Sequence, residues 1–133
     1  MALIYIYDAA DIDKAQLNDA LAGTDHRWEF IADKIVPANC NPDAEVISVF
    51  VTSKVTREVI ESMPKLKLIA CRSTGFNTID LEAAQSRNIT VVNVPTYGEA
   101  TVAEYAFSLL LALQRKLPAL LDAENKQFTP IEL

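Results

Sequence analysis

Residues 66–95 read LKLIACRSTGFNTIDLEAAQSRNITVVNVP, and the fold class is decided within them. Residues 66–71 form a short apolar run of strand length, Asp80 stands at the N-cap of a helix over 81–87, and residues 90–94 form a second strand stopped by Pro95. The same alternation extends towards the amino terminus. Residues 3–7 are a continuous β-rich apolar run ending at Asp8, the pattern of a strand buried on both faces. Asp11 can cap a helix over 12–21 whose Leu17, Ala20 and Leu21 share a face; residues 27–36 alternate loosely as a strand, and residues 46–51 are another buried strand. Thr56 caps a short helix over 57–63, with Glu58 in its first turn and Pro64 closing it. Strands alternating with helices at short intervals predict an α/β domain with a mostly parallel sheet and helices on both faces.

In such a sheet ligands bind beyond the carboxyl ends of the strands. That directs attention to loops 8–11, 52–56, 72–77 and 95–101. A last helix is predicted over 102–117, where Thr101 and Glu104 have the T-x-x-E spacing of a capping box. Val102, Ala103, Tyr105, Ala106, Phe107, residues 109–113 and Leu117 make it apolar on nearly every face, so it expects a partner beyond an ordinary core: a further domain or a second copy of the chain.

Composition narrows the function classes. The chain has 133 residues, a formal net charge of −6, two cysteines and three glycines. Its length is that of a single domain. Gly23, Gly75 and Gly98 stand too far apart to write a G-x-G-x-x-G or P-loop anywhere, which excludes an ordinary self-contained dinucleotide or nucleotide site. The scattered basic residues offer no patch for a phosphate backbone, so no nucleic-acid partner is expected. The longest apolar run, 105–113, is far short of the ~20 residues that span a bilayer, and residues 1–7 have no basic region of the signal-peptide kind. Cytoplasmic residence without a membrane partner is the expectation. Cys40 and Cys71 lack C-x-x-C spacing and are read as buried free thiols, with no metal site.

Several residue groups invite a chemical reading. Loop 71–77 follows a buried strand, and Gly75 in it would let successive amides form a nest for an anion; the plain alternative is a strand-to-helix turn with glycine supplying φ > 0. Asp8, Asp11 and Asp13 suggest a Mg²⁺ site of the phospho-receiver kind, but such a site needs a further aspartate and a lysine where Val51-Thr52 and Val94-Pro95 stand, so capping and first-turn charge is the better reading. His26 is the only histidine and has no triad partner. Arg72 can pair with a substrate carboxylate or serve in a surface ion pair. Asn88-Ile89-Thr90 matches a glycosylation sequon and carries no weight in a cytosolic chain.

The series Arg72-Ser73-Thr74-Gly75-Phe76-Asn77-Thr78-Ile79-Asp80-Leu81, then Ala83-Ala84, Val92-Asn93-Val94-Pro95-Thr96-Tyr97, Val102-Ala103-Glu104-Tyr105-Ala106 and residues 109–115, closely resembles the amino-terminal part of the D-isomer-specific 2-hydroxyacid dehydrogenases, nearest to the D-lactate dehydrogenase branch. The resemblance spans roughly residues 64–117. It implies a flavodoxin-like three-layer substrate-binding domain over 1–98, then over 99–133 a long interdomain helix and the lead-in, at 128–133, to a Rossmann NAD-binding domain. It implies that the backbone of Ser73, Thr74 and Gly75 holds the substrate carboxylate, that Tyr97 lines the cleft, and that Gly98 and Val102 touch the nicotinamide end of NAD. It implies also a homodimer through the 102–117 helix. Thr78, Gly98 and Tyr105 depart from the residues common at those positions.

The resemblance yields a first hypothesis: the substrate-binding part of an NAD-dependent oxidoreductase acting between 2-hydroxy and 2-keto acids, in which hydride passes between substrate C2 and NAD. The family's catalytic Arg, Glu and His lie beyond the matched part, so the chain is expected to be inactive alone. A hypothesis of another class is a stand-alone carboxylate-binding or interaction module that dimerises through its apolar last helix.

Overall fold

The structure, a computed structural model, describes residues 1–121 and divides the chain into two compact units, Met1–Pro95 and Thr96–Leu133. The anticipated lead-in at 128–133 lies outside the described residues. In the first unit the elements run β1 (Leu3–Ile6), α1 (Asp11–Leu21), β2 (Arg27–Phe30), β3 (Val46–Val49), α2 (Arg57–Glu61), β4 (Leu68–Cys71), α3 (Leu81–Ser86) and β5 (Thr90–Val92). All five strands are parallel, in the order β2-β1-β3-β4-β5. That order is flavodoxin-like, and its switch point, where the chain reverses its direction across the sheet, lies between β1 and β3.

Register puts Tyr5 opposite Ile47, Ile47 opposite Ile69 and Ile69 opposite Val91, so one face carries an unbroken apolar row. Val59 and Ile60 of α2, Met63, and Ala83 and Ala84 of α3 close over that row to form the core. Right-handed crossovers place α1 on the opposite face, because β1-α1-β2 steps across the sheet against the direction of β3-α2-β4. No residue of α1 is buried. Coverage is therefore uneven: Ile6 is buried on the α1 side, whereas alternate residues of β3 and β4 are half-buried and Thr90 and Val92 of β5 are exposed.

Local chemistry explains where the elements end. Thr56 accepts the Val59 amide and Asp80 accepts the Ala83 amide, as their positions predict. Asp11, by contrast, is not a cap. It is the first residue of α1 and pairs with Lys14, while Asp13 reaches back to accept the Ala10 amide at 2.9 Å, the half of a capping box that does not need a polar N-cap side chain. The strand expected over 27–36 stops at Phe30, and the chain leaves the sheet so that Ile35 can be buried with its amide on the Ser53 hydroxyl. Asn88 has φ 56°, Ile89 N–H donates to Ala84 and Asn88 N–H donates to Gln85. Those two bonds are a Schellman stop for α3, so the asparagine of the apparent sequon serves as a helix terminator. Arg87 then donates to the carbonyls of Ile60, Met63 and Pro64, which lie at and just beyond the carboxyl end of α2.

The second unit contains α4 (Glu99–Gln114) and α5 (Leu117–Leu121). α4 begins earlier than the expected Val102, with Gly98 as its N-cap: Val102 N–H already donates to Gly98 O at 2.9 Å, so Thr101 lies inside the first turn and does not head a capping box. It also ends earlier, because Lys116 takes φ 53° ahead of the Leu117-Pro118 pair. No helix among the described residues is long and apolar enough to cross a membrane.

Candidate functional site

The carboxyl ends of β1, β3 and β4 meet around one side chain. Arg72, just past β4, donates from Nη1 to Ser48 Oγ at 2.9 Å and from Nη2 to the carbonyls of Tyr7 at 2.9 Å and Asp8 at 3.1 Å. Its guanidinium lies 5.9 Å from the Phe50 ring centroid and 4.0 Å from the Asp13 carboxylate. Arg72 is thus a strut across the topological switch point. Both of its Nη atoms bond within the fold, which gives the side chain a structural role that neither a substrate contact nor a surface ion pair describes. Asp8 takes φ 54°, a conformation aspartate tolerates better than most residues, and its carboxylate accepts from Phe50 N–H and from Thr52 Oγ1. The three aspartates are accordingly occupied with backbone, hydroxyl and cation partners of the fold.

Ser73, Thr74 and Gly75 lie together in the loop after β4. Gly75 is not in the positive-φ region, and a Cβ there would meet only Asn77 Oδ1, at an ordinary 3.5 Å. Turn geometry therefore does not explain the glycine, and the reading of it as a φ > 0 turn residue is set aside. The hydrogen bonding of the loop is one-sided. Ser73 O accepts from Val94 N–H at 3.1 Å, Thr74 O from Asn93 Nδ2 at 2.8 Å, and Gly75 O from Ser73 Oγ at 2.8 Å and Cys71 Sγ at 3.3 Å. Phe76 O and Thr78 O accept from Ile79 and Val55 amides. By contrast, none of the amides from Ser73 to Thr78 donates to an acceptor among the described residues. A run of N–H groups without acceptors among the described residues, beside bonded carbonyls, presents positive partial charge, one condition for binding an anion.

The remaining candidates fall in the second unit. Tyr97 is exposed, Gly98 is the N-cap of α4, and Val102 is exposed one turn into that helix. A Cβ on Gly98 would meet nothing within 4 Å. Elsewhere, His26 Nδ1 accepts the Ala2 amide at 3.1 Å. Cys71 is buried, whereas Cys40 is only half-buried; burial still pushes the Cys40 thiol above the usual range. Burial likewise raises the Tyr7 phenol, whose hydroxyl donates to Asn39 O at 3.1 Å. The carbonyl clamp of Asn93 and the strut role of Arg72 escaped sequence reasoning, since neither residue has a spacing signature; their bonds join positions 19 and up to 65 residues apart.

A five-stranded parallel sheet in flavodoxin order, with the loop after β4 at the carboxyl ends of its strands, defines a domain of the doubly wound α/β class. A sequence profile of the family described as D-isomer specific 2-hydroxyacid dehydrogenase, catalytic domain, matches residues 5–123, and the chain belongs to that family. It is 46% identical over 77 residues to a 2-hydroxyacid dehydrogenase homolog of Zymomonas mobilis, over 56% of this chain and 23% of that protein. It is 38% identical over 97 residues to D-3-phosphoglycerate dehydrogenase of Mycobacterium bovis, over 73% of this chain and 18% of that one. The crystal structure of Aquifex aeolicus D-lactate dehydrogenase complexed with NAD and lactic acid superposes with a TM-score of 0.78 at 29% identity, covering 97% of this chain and 40% of that chain. The chain thus matches well under half the length of these relatives.

Proposed function

We propose that this chain is the substrate-binding part of an NAD-dependent D-2-hydroxyacid dehydrogenase, with the amides of loop 73–75 holding the carboxylate of a 2-hydroxy or 2-keto acid. The observation that carries this reading is the one-sided loop: carbonyls bonded, and amides without an acceptor among the described residues. Fixed backbone donors stabilise a carboxylate without needing to reorganise, and charge-assisted bonds of this kind are stronger than neutral ones. In this reading residues 1–98 are the substrate-binding domain, Tyr97 is a substrate-side aromatic, and Gly98 and Val102 border the nicotinamide.

This chain's own residues do not fit the whole of NAD. Its glycines form no phosphate-binding turn, and Gly98 and Val102 offer at most an edge contact. In this reading the cofactor is bound mainly by residues of a longer enzyme. The chain alone, mixed with NADH and pyruvate, is expected to leave the cofactor absorbance at 340 nm unchanged. Oxidation at an ordinary enzymatic rate would contradict this.

A second reading is favoured by one observation on the last helix. Val102, Tyr105, Phe107, Leu110 and Leu113 of α4 are each more than half exposed, and apolar surface on that scale marks an interaction site. In this reading the chain works as a self-associating carboxylate-binding module joined through 102–117. Light scattering at high protein concentration is then expected to give twice the chain mass. A clean monomer would sink the interface.

A further inference from the structure

Resting on the carboxylate reading above, we infer that Asn93 and Ser73 are positioning residues that aim the loop amides, acting through the carbonyls of Thr74 and Gly75. In a trans peptide the carbonyl of one residue and the amide of the next point in opposite directions. Three consecutive peptides are fixed in this way: the carbonyls of Ser73, Thr74 and Gly75 are bound by Val94 N–H, Asn93 Nδ2 and the Ser73 hydroxyl respectively. The amides directed away from those bonds are Thr74 and Gly75 of the carboxylate loop and, beyond it, Phe76. Ser73 contributes to the clamp through its hydroxyl and its carbonyl, while its own amide belongs to the preceding peptide, which these bonds do not fix.

The surroundings support a clamp and not an incidental contact. Ser73 is 3% exposed, and its hydroxyl sits 3.1 Å from Cys71 Sγ, which shares the Gly75 carbonyl. Thr74 Oγ1 donates to Val94 O at 2.9 Å, so the loop and the segment after β5 are joined by three bonds: Thr74 to Val94, Val94 to Ser73, and Asn93 to Thr74. Removing the Asn93 donor leaves the Thr74 carbonyl unbonded, and its peptide is then free to rotate and withdraw the Gly75 amide from the anion.

The test uses the full 133-residue chain, labelled with ¹⁵N and ¹³C and titrated with pyruvate. In the wild type the Thr74, Gly75 and Phe76 amide resonances are expected to shift saturably. Asn93→Leu, neutral and of similar size, is expected to move the Thr74 carbonyl ¹³C resonance and to weaken pyruvate binding about fivefold or more, the effect of losing one aligned hydrogen bond. Ser73→Ala, which deletes a single atom, does the same through the Gly75 carbonyl and decides the matter if Asn93→Leu does not fold. A displaced carbonyl resonance with unchanged affinity overturns the positioning role while leaving carboxylate binding intact. A wild type whose loop amides do not respond to pyruvate overturns the carboxylate reading, and this inference with it.

Discussion

Replacing Arg72 with alanine is expected to lower the unfolding free energy by roughly 2–4 kcal/mol, measured as a fall in the urea midpoint with little change in slope. The side chain is only 17% exposed and donates to the Ser48 hydroxyl on β3 and to two backbone carbonyls of the turn after β1. Tyr7, whose carbonyl accepts one of these bonds, is fully buried. An unpaired buried carbonyl costs more than the average hydrogen bond contributes. Arg72→Lys is expected to recover only part of the loss, because a point ammonium cannot span the Ser48 hydroxyl and the Tyr7 and Asp8 carbonyls at once. A midpoint change equivalent to less than about 0.5 kcal/mol, the range of ordinary surface substitutions, would show that the strut is not needed.

The core gives the second large effect. Ile47 lies on β3, the middle strand of five, with Tyr5 and Ile69 opposite it on its neighbours and no exposed surface. Ile47→Ala removes apolar contacts and leaves a cavity that closely packed strands on both sides cannot close, for a cost of about 2–5 kcal/mol. Ile12→Ala is the contrast. Ile12 is 69% exposed on α1, and its truncation is expected to change stability by less than about 0.5 kcal/mol. Equal effects at the two positions would contradict the division of the sheet into a closed face and a sparsely covered one.

The sequence carried the alternation of strands and helices well, because a buried parallel strand must be an apolar run and a helix start must satisfy its own amides. Thr56 and Asp80 show this directly. It carried element ends less well. The long reading of 27–36 failed because burial of Ile35 comes from a turn onto Ser53, a contact 18 residues away that no local pattern announces. The last helix was misplaced at both ends for a related reason: Gly98 and Lys116 set its limits by backbone conformation, while Thr101 offered a more familiar but unused signal. At the loop after β4, the motif drew attention to Ser73, Thr74 and Gly75. Which amides of that loop lack an acceptor could not be read from the motif, since it depends on where the carbonyls of the same peptides go.

The carboxylate reading is tested most directly by comparing pyruvate with its methyl ester in a titration of the wild-type chain followed at the loop amides. The two ligands share the keto group and differ in charge. Pyruvate is expected to shift the Thr74 and Gly75 amide resonances saturably, and the ester at the same concentrations is expected to leave them in place. Equal responses to both ligands, or none to pyruvate, would contradict the assignment of loop 73–75 as the carboxylate site.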